Sequence, residues 1–193
     1  MRLIFFECYT SNMSEHYHPP NITTEELTKE FAEKHAGKLV ALAGQIPGIE
    51  YSASDILAET KGDRLLLNKW AHSLALTEGG EPIAFIMGYE RASEGSEQYP
   101  QDTLYISELA VKESHQKKGI ARELLKSFFE KNNNLGMQHP DAPLNYSIQT
   151  NSAEWNEYVI NLYKSFGFKE RALKEYPNRT DLVLGVDKDD LLI

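Results

Sequence analysis

The sequence predicts an α/β fold of the α+β kind: a single domain, 1–193, with a central mixed, mostly antiparallel sheet flanked by helices. Three observations predict it. A hairpin signal, Glu78-Gly79-Gly80-Glu81, stands between two apolar runs. Strand-like and helix-like segments then alternate from Leu104 to Val186. A chain of 193 residues with 41% hydrophobic and 25% charged side chains suits one folded domain rather than two, or a disordered chain.

The elements follow in order. Leu3 to Phe6 reads as a short strand and residues 10–22 as a loop. Thr23 with Glu26 fits a capping box, opening a helix whose stripe is Leu27, Phe31, His35 and Leu39 and which Pro47-Gly48 ends; Gly37 either breaks or is tolerated in it. A second helix begins near Ser52 or Ser54 and buries Ile56 and Leu57, and residues 61–70 fit helix or strand. Ser73–Thr77 and Pro82–Tyr89 are the arms of the hairpin, and residues 90–102 an exposed acidic loop. Leu104–Val111 is almost continuously apolar apart from Ser107 and Glu108, as a central strand covered on both faces would be. After the polar loop Lys112–Lys118, a helix runs from Gly119 to Asn132 with Ile120, Leu124, Leu125, Phe128 and Phe129 inward, ended by the asparagine run and Gly136. Tyr146–Thr150 is a strand, Ala153–Phe166 a helix closed by Gly167, and Phe168–Tyr176 with Thr180–Val186 a hairpin through Pro177-Asn178.

Composition excludes several classes. The net charge of −9 repels phosphate backbones and anionic lipid, so neither nucleic acid nor membrane is an expected partner. The one cysteine, Cys8, builds neither a disulfide framework nor a Cys-rich zinc site, and no metal is expected. No apolar run has the roughly 20 residues that span a bilayer. The run after Arg2 is cut by Glu7 too early for a signal peptide, and a cytoplasmic location is expected.

One segment carries chemistry. Gln116-Lys117-Lys118-Gly119-Ile120-Ala121 joins the end of a strand to the start of a helix. Amides at a helix start have no internal partner, the helix dipole adds partial positive charge, and a glycine allows close approach, so the segment is a diphosphate cradle. Lys112, Lys117, Lys118, Arg122 and Lys126 cluster there against only Glu113 and Glu123. The Gly-Lys-Ser/Thr ending of a P-loop and the glycines of a dinucleotide fingerprint are both missing. A solvated basic helix start is the plain alternative.

With its surroundings the segment resembles the GCN5-related N-acetyltransferase (GNAT) superfamily. That family carries Gln/Arg-x-x-Gly-x-Gly/Ala after its fourth strand, and then an asparagine, a tyrosine seven residues later and a Gly-Phe. Gln116 to Ala121, and Asn156, Tyr163 and Gly167-Phe168, match in order and spacing. The resemblance covers about residues 70–186; the first 69 fit only as a strand and two helices. It implies acetyl transfer from acetyl-CoA to a primary amine of a small molecule or peptide. It implies that backbone groups of Leu109, Ala110 and Val111 hold pantetheine and that amides from Gln116, Lys117, Lys118, Gly119, Ile120 and Ala121 hold pyrophosphate. Lys117, Lys118 and Arg122 would reach phosphate oxygens, and Asn156 would contact CoA.

Tyr163 is then the candidate general acid for the departing thiolate, against the alternative of a packing aromatic. Glu108, a carboxylate in an apolar strand, is the candidate base, against the alternative of a solvent-facing edge or bulge residue. Glu7 and Tyr105 are lesser candidates. Cys8, Trp70 and Trp155 read as core, His115 as surface, and Asp187, Asp189 and Asp190 as a solvated tail. The carboxylate excess favours a cationic acceptor, and a homodimer is common in the family. Two other readings remain open: a non-catalytic acyl-CoA-binding module, and a toxin-like acetyltransferase acting on aminoacyl-tRNA, which the charge disfavours.

Overall fold

A computed structural model describes residues 21–45, 50–59, 66–91, 103–138 and 145–193. The expected strand at Leu3–Phe6, Glu7, Cys8, the Pro47-Gly48 stop and the Lys61-Gly62-Asp63 turn lie outside them, as does most of the 90–102 loop. Eight described strands form one sheet: β1 (Ile22–Glu26), β2 (Leu66–Leu67), β3 (Leu74–Glu78), β4 (Glu81–Arg91), β5 (Thr103–Val111), β6 (Asn145–Asn151), β7 (Lys169–Tyr176) and β8 (Arg179–Asp187). The main path runs β1-β3-β4-β5-β6-β8-β7, with β2 added on β4. Only β5 and β6 pair in parallel; the other pairs are antiparallel. The helices are α1 (Lys29–Ala43), α2 (Ala53–Leu57), α3 (Lys69–His72), α4 (Ile120–Gln138) and α5 (Glu157–Lys164). No described helix is long and apolar enough to cross a membrane.

The sheet has a hydrophobic layer on each side. Leu104, Ile106, Tyr146, Ile148, Leu182 and Leu184 face α4 and α5, where Leu124, Leu125, Phe128 and Phe129 are fully buried. Phe129 is the hub: its ring meets Tyr146 at 5.0 Å and Phe166 at 5.4 Å, both edge to face. Such pairs add about 0.5–1.5 kcal/mol each beyond area burial. On the other side Ala32, Leu39, Leu42 and Ile56 of α1 and α2 cover Ala75, Phe85, Met87 and Ala110. β5 is therefore covered on both faces, as its apolar run predicts.

The structure corrects four element boundaries. Thr23 and Glu26 open no helix: they lie in β1, where Thr23 sits opposite Thr77 and their hydroxyls bond at 2.8 Å. The cap is Thr28, whose Oγ1 accepts from the Phe31 amide at 3.2 Å. Gly37 is tolerated inside α1, which ends at Ala43. α4 runs through the asparagines to Gln138, because Asn132 is buried and bonded in tertiary structure instead of capping. Its Nδ2 donates to the Phe128 carbonyl at 2.8 Å, and its Oδ1 lies 2.6 Å from His72 Nδ1. Finally, residues 154–156 form a 3-10 turn before α5, whose helix is shorter than expected. The ambiguous 61–70 stretch ends in β2 and the start of α3.

His72 is the clamp between layers. Its Nε2 lies 2.7 Å from Glu90, whose second oxygen accepts from Asn68 at 2.6 Å, so α3, β4 and α4 share one polar network. Beside it a Cβ at Gly88 would come within 2.7 Å of the Phe128 ring and 3.3 Å of His72 Cβ. Neither is a loose side-chain end. Gly88→Ala is expected to cost about 1–3 kcal/mol through overpacking. Thermal melting should then show Tm lowered by about 2–4 °C for each kcal/mol lost.

Candidate active site

The site begins with a count of residues. Met87 on β4 pairs with Glu108, but the next residue, Gly88, pairs with Ile106. Ser107 is therefore an extra residue in β5, a bulge, which reverses the side-chain alternation beyond it. Before the bulge, Leu104 and Ile106 face the α4 layer; after it, Leu109 and Val111 do. Glu108 and Ala110 are thereby turned to the α1–α2 side, which Tyr105 also faces.

Glu108 does not face solvent. It is 3% exposed and held by hydroxyls: Tyr51 donates to Oε1 at 2.7 Å, and Ser107 donates to Oε2. A buried carboxylate is costly unless so bonded. Tyr51 precedes Ser52, the N-cap of α2, where Ser52 and Asp55 form a capping box. Lys69 holds that helix in place. It is 1% exposed, donates to the Ile56 carbonyl at 2.5 Å and lies 4.1 Å from the centre of the Trp70 ring. Tyr51 was not among the residues that the sequence singles out, since it meets Glu108 only through the fold.

The second feature is a split in the sheet. β5 and β6 pair from Thr103–Asn145 to Ile106–Ile148 and no further. Beyond, Leu109, Ala110 and Val111 keep their pairing to β4, and Gln149 to Asn151 keep theirs to β8. Beyond Ile106 and Ile148 the two strands thus face each other across a gap without pairing. The Val111 carbonyl accepts from Gln116 Nε2 at 3.0 Å, which ties the following loop to the strand end.

That loop leads into α4. Among the described residues, the backbone amides of 117 to 122 have no hydrogen-bond partner; the first bonded amide of the helix is Glu123, to the Gly119 carbonyl at 3.1 Å. Lys117 and Gly119 have left-handed φ values of 59° and 83°. A Cβ at Gly119 would meet nothing within 4 Å, so the glycine is required for its backbone and borders open space. Lys117 and Lys118 are exposed, whereas Arg122 is turned to the end of α5: it donates to Ser165 at 2.9 Å and lies 5.2 Å from the Phe166 ring centre.

Tyr163 is 2% exposed on α5, its ring edge-on to Phe168 at 5.3 Å. Its hydroxyl has no hydrogen bond to a described residue. Asn156 is 5% exposed, and its Nδ2 donates to Thr150 Oγ1 at 2.7 Å and to the Asn151 carbonyl at 2.6 Å. Both amide hydrogens thus hold the end of β6, leaving the oxygen as the group able to meet a ligand. His115 lies off the site, 3.4 Å from Glu78, and Trp70 is partly buried against the α1–α2 layer.

The model of the acetyltransferase (GNAT) family matches residues 10–168, and the chain belongs to that family. The match reaches well ahead of residue 70, where the resemblance read from the sequence begins, and takes in β1, α1 and α2. No curated protein sequence matches the chain. Similar solved structures include the ribosomal-protein-S18-alanine N-acetyltransferase from Escherichia coli, 15% identical, covering 86% of this chain and 93% of that one, with a TM-score of 0.62. Ard1 from Thermoplasma volcanium is 18% identical over 90% and 99%, with a TM-score of 0.63. A chain of the NatC complex bound to Gag peptide and CoA is 18% identical over 86% and 98%, with a TM-score of 0.65. The likeness shows the GNAT fold: a mixed sheet flanked by helices.

The buried phenols give a pH signature. Burial, then the Glu108 charge, raises the pKa of Tyr51 and of Tyr89 well above the ordinary value of 10.0. Burial alone raises Tyr146, and burial with a smaller effect of Tyr105 raises Tyr163. In the unfolded chain these groups lose protons near pH 10; in the folded chain they keep them. Stability from this source is complete below about pH 10 and falls as pH rises above it. An alkaline titration should show part of the phenolate absorbance of the 10 tyrosines appearing only together with loss of circular dichroism. A full phenolate signal near pH 10 from a chain with native dichroism would contradict it.

Proposed function

We propose that the protein transfers an acetyl group from acetyl-CoA to a primary amine of a small molecule or peptide. One observation carries the reading: the split between β5 and β6 opens beside the unpartnered amides of 117 to 122. The residues fit the cosubstrate. The edge of Leu109, Ala110 and Val111 that β6 leaves open suits the amides of pantetheine, which would lie along it like a short strand, with the Val111 carbonyl already bonded to Gln116. The amides from Lys117 to Arg122, with Gly119 giving close approach, suit a pyrophosphate. Gln116 acts by tying the loop to Val111, and the Lys117 and Lys118 ammonium groups supply positive charge at the rim. Arg122, engaged with Ser165, would have to leave that bond to reach a phosphate.

The chemistry follows from position. An amine reaches the site as its ammonium form. Glu108 takes a proton from it, directly or through water, so that the nitrogen lone pair is free. The nitrogen attacks the thioester carbonyl; the C–N bond forms, the C–S bond breaks, and the nitrogen gives up its second proton to water. Tyr163, protonated at neutral pH as a phenol is, donates its proton to the departing sulfur. Water then returns a proton to Tyr163 and accepts one from Glu108. The Tyr51 and Ser107 hydroxyls orient the Glu108 carboxylate throughout.

Release of free CoA in the presence of an amine panel tests the reading. Release with at least one amine supports it; acetyl-CoA binding with no release for any amine defines a non-catalytic module instead. Tyr163→Phe is expected to lower kcat by about 10²–10⁴-fold while acetyl-CoA affinity stays within about twofold, because the lost group acts in the transition state. Unchanged kcat would remove Tyr163 from the mechanism. Gly119→Asp puts a carboxylate in the cradle and a Cβ on a left-handed backbone. Acetyl-CoA affinity by titration calorimetry should fall at least about tenfold, or 1.4 kcal/mol.

A further inference from the structure

The sheet face that carries Glu108 continues across β6 and β8. Tyr105 is level with Ser147 on β6, and Ser147 with Gly185 on β8, so their side-chain positions lie in one row. Leu182, Leu184 and Val186 point the other way, into the α4–α5 layer. On this row two buried polar atoms have no hydrogen-bond partner: Ser147 Oγ and Arg171 Nη1. Ser147 is fully buried.

Arg171 is brought there by construction. Glu170 pairs with Leu184 and Ala172 with Val183, which leaves Arg171 as the extra residue of a bulge in β7. Its side chain lies flat over Gly185. A Cβ at that glycine would come within 2.4 Å of the guanidinium carbon. The outer nitrogen Nη2 donates to Asp187 at 2.9 Å, while Nη1 is turned inward. The buried acid of β8, Asp181, has its own partners in Arg179 and Gln149. A bulge, a glycine and two orphaned polar atoms on either side of that glycine are a costly arrangement for packing alone. A carboxylate accepts from a guanidinium and a hydroxyl at once, and would satisfy both.

We propose that Arg171 and Ser147 form a carboxylate subsite of the acceptor, which makes the acceptor an amino acid. The proposal rests on the acetyl-transfer reading for the fate of the amine. The two ends of the acceptor then meet opposite charges on one sheet face: the ammonium meets Glu108 and the carboxylate meets Arg171. With 16% of its side chain exposed, Arg171 gives the ligand access from solvent through a shift of its own rotamer.

Titration calorimetry tests the subsite without turnover. The probes are α- and ω-amino acids and their amides, which differ only in the carboxylate, applied to the full chain and to its Arg171→Met and Ser147→Ala variants. At least one amino acid should bind about tenfold tighter than its amide. That preference should vanish in Arg171→Met and shrink in Ser147→Ala, with acetyl-CoA affinity unchanged. Should Arg171→Met fail to fold, Arg171→Lys keeps the charge without the planar fork and should lose most of the preference. No preference for any amino acid, or a preference that survives at position 171, overturns the proposal. The two readings fail separately. CoA release with amines lacking a carboxylate, without any carboxylate preference, sinks the subsite alone. A carboxylate preference lost in the variants, without CoA release, upholds the subsite and sinks acetyl transfer.

Discussion

One inserted residue, Ser107, sets the geometry on which the rest of the site depends. A regular β5 would place Glu108 among Leu124, Leu125 and Phe128, where a carboxylate has no donor. The bulge puts it beside Tyr51 instead, and Ser107 itself supplies the second hydroxyl. The same residue also ends the ladder to β6: pairing stops at Ile106, one step before the bulge. The split between the strands and the orientation of the carboxylate therefore both start at one local irregularity.

The remaining structure serves to hold that irregularity rigid. β4 is fully paired along β5, and both helical layers press on it. Lys69 fixes α2, hence Tyr51, by a bond to backbone. Asn156 gives both amide hydrogens to the end of β6, which keeps the far wall of the split in place. These are polar contacts of buried side chains, where a missing partner costs more than a made bond yields, so they specify one arrangement.

What was legible in the sequence is what is local. The double glycine of the hairpin, the apolar run of β5, the polar loop and the periodic α4 all announce themselves within a few residues. What was hidden depends on distant partners. Thr23 and Glu26 have the spacing of a cap, yet five cross-strand pairs with β3 outweigh it. Asn132 looks like a helix stop, yet a histidine 60 residues away keeps it inside the helix. Glu108 could be singled out by its anomaly in an apolar strand. Its partner Tyr51, 57 residues earlier, carries no such mark. Arg122 has the right charge and the right place on its helix, and only the structure reveals that Ser165 has engaged it.

The flat packing of Arg171 on Gly185 has an evolutionary consequence. The two positions form a single steric unit, since the space a side chain at 185 would fill is already taken by the guanidinium. A descendant with alanine at 185 must either carry the 171 guanidinium in another rotamer or lose the long side chain there. Drift at these positions should therefore be correlated, with glycine retained wherever the arginine lies flat and released where it does not. Across related sequences the pair would vary as one character, and lineages that have broken it would mark where the need for this corner of the sheet has lapsed.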